Sequence, residues 1–184
     1  MTKKMRLELF KNKKFDRGAP AWKEMGWVII QGLFVSSWLP GSNWRLMLLR
    51  LFGARIGKGV IIKPKIRVKF PWKLFIGDYS WIGEEVWIDN LAEVYIGDNV
   101  CLSQGAYICT GNHNYAKETF DLITKQVRIE NGAWICAFSK IAPGITVKKN
   151  AVVGFGAVLK EDAEEGMIYL GNPAEPIKSR PLKQ

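Results

Sequence analysis

From Ile56 onward the chain repeats an aliphatic residue followed four places later by a small or β-branched one. The pairs are Ile56/Val60, Ile62/Ile66, Ile76/Ser80, Ile82/Val86, Ile88/Ala92, Ile96/Val100 and Leu102/Ala106. They resume as Ile129/Ala133, Ile135/Ser139, Ile141/Ile145, Val147/Ala151, Val153/Ala157 and Leu159/Ala163. This six-residue period predicts an all-β solenoid, a parallel β-helix over 56–165. Each hexapeptide makes one short strand and one corner, and three make a triangular coil. The aliphatic residues point into the prism and stack coil on coil, giving a quasi-one-dimensional core. Glycines after the aliphatic position (Gly57, Gly77, Gly83, Gly97, Gly154) are expected to serve turns that other residues resist.

The phase locates the irregularities. Steps of 6, 6 and 8 run from Ile56 to Ile76 and again from Ile76 to Ile96, so two corners each carry two extra residues. After Ile108 the next in-phase residue is Ile129, which implies an inserted loop at about 111–126. A long insertion in a solenoid is where function is expected. This one holds His113, the single histidine of the chain.

Residues 1–55 read differently, as a basic arm and a helical hairpin. Residues 1–23 carry eight basic residues (Lys3, Lys4, Arg6, Lys11, Lys13, Lys14, Arg17, Lys23) against Glu8 and Asp16. An uncharged run follows from Gly26 to Leu39. It is shorter than the ~20 residues a membrane-spanning helix needs, and no convincing signal-cleavage site follows it. Trp22, Met25, Gly26, Ile29, Ile30, Leu33 and Ser37 fall on one helical face. Pro40-Gly41-Ser42 breaks the chain, and Trp44, Met47, Leu48, Leu51 and Phe52 suit a second helix. This face predicts either packing on the main domain or on a neighbouring subunit, or a shallow membrane anchor. Residues 166–184 read as a C-terminal tail.

Composition narrows the chemistry. The 184 residues are 48% hydrophobic with a net charge of +10, so a real core can form and an anionic partner is favoured. No nucleic-acid motif accompanies the charge. One histidine excludes a multi-histidine metal site, including the three metal histidines of a γ-class carbonic anhydrase, and no metal is expected. Fifty-five N-terminal residues are too few for the nucleotide-binding domain of a sugar-nucleotide uridylyltransferase. Cys101, Cys109 and Cys136 form no CxxC pair and read as reduced thiols of a cytoplasmic protein. Six basic residues from Lys58 to Lys73, without an acid between them, suit anionic lipid, a pyrophosphate-linked glycan or merely water. Trp72, Trp81, Trp87 and Trp134 suit sugar stacking or padding of the outer face.

The runs LLRLFGARIGKGVIIKP (48–64) and PWKLFIGDYSWIGEEVWIDNLAEVYIGDNVCLSQGAYICTGNHNY (71–115), with GNPAEPIKSR (171–180), resemble the hexapeptide-repeat acyltransferases. Within them the chain is most similar to the colanic acid biosynthesis acetyltransferase (WcaF-type) branch of the maltose, galactoside and nodulation O-acetyltransferases. The resemblance implies a left-handed β-helix and a homotrimer with the active site between subunits. It implies transfer of acetyl from acetyl-CoA directly to a saccharide hydroxyl in exopolysaccharide biosynthesis. It assigns the general base to His113; an imidazole titrates near neutrality and suits that task. It places Asn112, Asn114 and Tyr115 at the acceptor. Either one of Asp89 and Asn90 faces the same groove, or the two form a polar corner pair capping a turn. The cofactor side would hold Trp134, Ala137, Gly154, Phe155, Gly156 and Lys160, with Lys178 and Arg180 either meeting the cofactor phosphates or standing on a solvated tail. Relatives often carry Thr-Lys where this chain has Lys160-Glu161. The implied location is cytoplasmic, with peripheral contact on the inner face of the membrane. Two other functions stay open: O-acetylation of a xenobiotic, and a non-catalytic solenoid scaffold at a membrane surface.

Overall fold

A computed structural model describes residues 4–12 and 15–182 of the chain; Lys3, Lys13 and Lys14 of the basic arm lie outside them. The repeat folds as a three-faced prism of parallel strands. The first face stacks Arg55–Ile56, Leu74–Ile76, Val94–Ile96, Val127–Ile129 and Thr146–Val147. The second stacks Ile61–Ile62, Trp81–Ile82, Cys101–Leu102, Trp134–Ile135 and Val152–Val153. The third stacks Arg67–Val68, Trp87–Asp89, Tyr107–Cys109, Lys140–Ile141 and Val158–Leu159. A bridge from Ala163 to Val147 begins the next coil.

Register turns the repeat into columns. Ile56, Ile76, Ile96, Ile129 and Val147 lie in line on the first face. Ile62, Ile82, Leu102, Ile135 and Val153 do so on the second, and Val68, Ile88, Ile108, Ile141 and Leu159 on the third. All of these are buried except Ile56, which is half-buried. Each fully buried aliphatic side chain contributes ~1.5–3 kcal/mol relative to exposure. Ser80 occupies an inward position without cost: its hydroxyl donates to the Gly97 carbonyl and accepts from Val100 N–H.

The corners use glycine differently from the sequence expectation. The left-handed residue stands directly before the small member of a pair: Gly59, Lys65, Tyr79, Glu85, Asn99, Gly105, Gly132, Phe138, Gly144, Asn150 and Gly156 all have positive φ. Six of these eleven are not glycine. Gly57, Gly77, Gly83, Gly97 and Gly154 do not have positive φ; a Cβ on any of them would collide with the next coil. At Gly57, Gly77 and Gly97 the obstacle is an acid or amide that caps the backbone below. Asp78 accepts from Lys58 N–H, Asp98 from Asp78 N–H, and Asn131 from Asp98 N–H, at 3.0, 2.7 and 3.0 Å. The recurrent Ile-Gly-Asp therefore marks close coil-to-coil approach.

Two helices close the N-terminal end of the prism. Helix α1 (Ala21–Ile30) runs into a π-helical turn (Gln31–Val35), and α2 (Asn43–Leu51) follows. Trp27, Val35, Leu46 and Leu49 are buried against the first coil. Trp27 Nε1 donates to the Val68 carbonyl, the Gln31 side chain accepts from Val68 N–H, and the Ser42 hydroxyl accepts from Ile62 N–H. Buried Arg45 ties the linker by donating to the carbonyls of Val35, Ser37, Leu39 and Gly41. Of the predicted stripe, Ile30 packs against the core with Leu48 and Phe52, while most of it does not face the first coil. Trp22, Met25, Ile29 and Leu33 are exposed, because apolar residues populate both sides of α1 and the first coil takes the side bearing Trp27.

The basic run is largely engaged. Lys65 pairs with Glu84 and Glu85, Arg67 lies over the Trp87 ring, and Lys73 turns inward to the Asp16 and Leu91 carbonyls. The C-terminal segment is not a loose tail. Met167–Gly171 joins the second face beside Val152–Val153, and Ala174–Ser179 folds back on it antiparallel.

Candidate active site

The insertion is a hairpin at the corner between the third and first faces. Gly111–His113 pairs antiparallel with Leu122–Thr124, with His113 opposite Leu122. Its base is fixed by Thr110, which is fully buried. The Thr110 hydroxyl donates to the Asp89 carbonyl and accepts from Ala92 N–H. Lys125 N–H closes the hairpin on the Thr110 carbonyl, and Asn114 N–H donates to the Asp121 carbonyl.

His113 is held by Phe120. Nδ1 lies 2.8 Å from the Phe120 carbonyl, and the two rings stack at 4.2 Å with 4° between their planes. A carbonyl can only accept, so in the neutral imidazole the proton sits on Nδ1 and the lone pair on Nε2. Phe10, from the N-terminal arm, meets the imidazole edge-on at 5.6 Å. Arg6 N–H donates to the Glu118 carbonyl and anchors that arm across the loop. Neither Phe120 nor Phe10 was indicated by the sequence. Phe120 acts through its backbone, and its one local sign, a left-handed φ of 50° at a phenylalanine, is invisible until folded.

The other acceptor-side residues divide. Asp89 faces out of the third face and accepts from the Tyr107 hydroxyl at 3.1 Å; burial holds that phenol well above its usual range. Asn90 is a correction. It is fully buried, accepting from Phe70 N–H at 2.9 Å and donating to the Phe70 carbonyl at 2.7 Å. Both ends of its amide are spent on the coil below, so it reaches no groove. Asn112 is displaced too: one residue from His113 on a strand, it projects to the opposite side of the hairpin. Its Oδ1 accepts from His113 N–H. Asn114 accepts from Ala116 N–H, and Tyr115 stands almost fully exposed.

Beside the hairpin lies a cavity of about 840 Å³. Lys11 and Phe15 of the arm, Lys73 and Glu93 of the coils, and Leu122 and Thr124 of the hairpin line it. Leu122, opposite His113, shares the histidine's side of the hairpin with Thr124, and the imidazole itself does not line the cavity. Phenyl surface beside acids and lysines suits a hydroxyl-rich ligand. Burial lowers the Lys73 ammonium below its usual range.

The cofactor-side residues occupy three places. Trp134, Ala137, Gly154, Phe155 and Gly156 stand at or near the corner between the second and third faces. Phe155 and Phe138 are exposed there and meet edge-to-face at 5.8 Å. Gly156 has open space where a Cβ would stand, so that corner offers bare backbone and aromatic edges to a long thin ligand. Trp134 Nε1 donates to the Ser103 hydroxyl. Lys160 stands instead at the histidine's corner, two coils on. Lys178 is exposed on the folded-back strand. Arg180 is a correction: it donates to the Gly132 and Asn150 carbonyls, at the corner between the first and second faces, and pins the C-terminal segment.

Residues 126–161 match the family model described as bacterial transferase hexapeptide (six repeats). The chain is 37% identical over 166 residues to the colanic acid biosynthesis acetyltransferase WcaF of Escherichia coli K12, covering 89% of this chain and 91% of that one. Over 137 residues it is 24% identical to the galactoside O-acetyltransferase of the same organism, covering 73% of this chain and 68% of that one. A hexapeptide-repeat acetyltransferase of Vibrio cholerae O1 biovar eltor, solved with acetyl coenzyme A, superposes with a TM-score of 0.81 at 24% identity. That match covers 94% of this chain and 96% of the other. The likeness establishes the fold as the left-handed β-helix.

Proposed function

The chain belongs to the hexapeptide-repeat acetyltransferases, in the branch of the colanic acid biosynthesis enzymes; from that membership we propose that it moves acetyl from acetyl-CoA to a saccharide hydroxyl during exopolysaccharide assembly. The observation that carries the reading is the His113 imidazole, fixed by the Phe120 carbonyl with Nε2 as its basic nitrogen. Nε2 takes the acceptor proton as the hydroxyl oxygen attacks the thioester carbonyl carbon. The tetrahedral adduct collapses, the C–S bond breaks, and the imidazolium returns its proton to the coenzyme A sulfur. No covalent enzyme intermediate is needed. A backbone N–H from a coil of the neighbouring subunit would serve the oxyanion.

The acceptor sits in the cavity beside the hairpin, between the arm and Leu122. The thioester arm of acetyl-CoA lies along the corner of Ala137 and Gly154–Gly156. In one chain these two sites stand at opposite edges of the third face, a six-residue side about 20 Å long. A homotrimer resolves this by setting the His113 corner of one copy against the Gly154 corner of the next. The enzyme works in the cytoplasm, on the inner face of the membrane where lipid-linked glycans are assembled.

The test is thiol release from acetyl-CoA with a panel of nucleotide sugars, fucose-containing oligosaccharides, lipid-linked glycans and chloramphenicol, wild type beside His113→Ala. Acceptor-dependent release by the wild type, lost in the variant, supports the reading. Equal release by both proteins removes His113 as the base, and release with chloramphenicol alone moves the substrate class to xenobiotics.

A further inference from the structure

We propose that the outer side of α1, the π-helical turn and α2 is a docking surface for an anionic phospholipid bilayer. This rests on the trimer and inner-face location proposed above, and names the surface and its lipid.

The helices have two unlike sides. The inner side plugs the first coil with Trp27, Val35, Leu46 and Leu49. The outer side leaves Trp22, Met25, Ile29 and Leu33 exposed at steps of three and four residues, so they form one stripe along the helix. Trp38 beyond the turn, and Met47 and Leu51 on α2, extend the apolar surface; Trp22 and Trp38 are 76% and 73% exposed. A folded domain rarely leaves so much contiguous apolar surface without a partner. Tryptophans at both ends of the stripe suit the depth where headgroups meet acyl chains. No helix among the described residues is long and apolar enough to cross a membrane, so this surface would lie on the bilayer.

Charge selects the lipid. Residues 18–71 hold nine Lys and Arg against one acid, Glu24, which Arg17 already pairs; of the nine, Lys65 pairs with Glu84 and Glu85 of the next coil. Of these cations only Arg45 is fully buried. Arg50 on α2 donates to the Ile56 and Gly57 carbonyls of the first coil, while Lys63 and Lys69 are exposed on that coil. Basic side chains beside an inserted apolar stripe favour anionic headgroups by ~1 kcal/mol each.

Geometry argues against a second copy as the occupant. The proposed trimer packs prism against prism along their sides, which leaves the end caps uncovered. Two trimers meeting cap to cap would press basic ends together. Side-by-side packing instead brings three caps to one end of the assembly, where three weak contacts act as one strong one.

The experiment sediments the full chain with vesicles of phosphatidylcholine alone and with vesicles containing about one-third phosphatidylglycerol. The expected result is binding at least about tenfold tighter to the anionic vesicles, weakened by salt. The triple variant Trp22→Ser, Leu33→Ser, Trp38→Ser should lose about tenfold or more of that binding while keeping its sedimentation mass and acetyl transfer. A second variant, Lys63→Glu with Lys69→Glu, alters no buried group and should lower only the preference for anionic lipid. Equal binding to both vesicles overturns the anionic lipid and leaves the inner-face location standing. Binding to neither overturns both. Loss of trimer mass in the triple variant overturns the proposal and reassigns the surface to contact between copies.

Discussion

Phe120 holds His113 through both of its parts: the carbonyl accepts from Nδ1 at 2.8 Å, and the ring lies flat on the imidazole at 4.2 Å. One residue thus fixes both the tautomer and the plane of the base. His113→Ala is expected to lower kcat by about 10²–10⁴ with the KM for acetyl-CoA unchanged. Phe120→Leu keeps the carbonyl and loses only the ring, so its loss should be about tenfold or less. Steady-state kinetics on both variants separate these contributions.

Asn90 should behave as a structural residue. Asn90→Ala leaves Phe70 N–H buried without a partner, at a cost of about 1–3 kcal/mol, while the Phe70 carbonyl keeps the Lys73 N–H. Thermal unfolding should begin several degrees lower, since 1 kcal/mol is worth about 2–4 °C at this size. Activity per folded molecule, measured well below the transition, should stay within about twofold of wild type. A large kcat loss at full folding would return Asn90 to the acceptor site.

Two glycine substitutions should diverge. Gly77→Ala puts a methyl group into Asp98 and the next coil and should destabilise by about 1–3 kcal/mol. Gly156→Ala meets nothing, so its cost is limited to the left-handed backbone, about 1 kcal/mol. Its main effect should be a raised KM for acetyl-CoA, because the methyl group covers the bare backbone proposed for the thioester arm. Denaturant melts beside saturation curves distinguish the two.

Filling the cavity beside the hairpin should affect only the acceptor. Leu122→Trp is expected to raise the acceptor KM about tenfold or more and to leave the KM for acetyl-CoA unchanged. An equal rise in both would place the two ligands in one pocket.

The chain should lose stability in alkali. Burial pushes the Cys136 thiol up from 9.0 to about 11 and raises the Tyr107 phenol as well. Each group binds its proton more tightly when folded, so its contribution is intact below the unfolded pKa. It fades as pH rises toward the folded value. For Cys136 that window is pH 9.0 to about 11. Urea midpoints should fall across it, and less steeply for Cys136→Ala.

The solenoid was legible because its period is enforced at every coil. Of the thirteen aliphatic-small pairs, only Ile56 and Ala92 escape full burial. The insertion and its histidine were legible for the same reason, as a break in phase. What failed to show were features made by proximity across the chain. Asn90 resembles a polar corner residue until Phe70 is found one coil below it. Arg180 resembles a phosphate ligand until the chain folds back on the second face. The stripe of α1 was read from spacing alone, and spacing could not decide which of two apolar sides the first coil would take.

The folded-back strand Ala174–Ser179 also governs what the protein does in bulk. A stack of parallel rungs ends in unpaired N–H and C=O groups, an open template on which another solenoid could continue. Here the last rung of the second face is met by a strand running the other way, and the first coil lies beneath α1 and α2. The N-terminal end and the second face then offer no parallel register to an incoming copy. A periodic chain that could otherwise continue end to end into a fibre is thereby interrupted on that face.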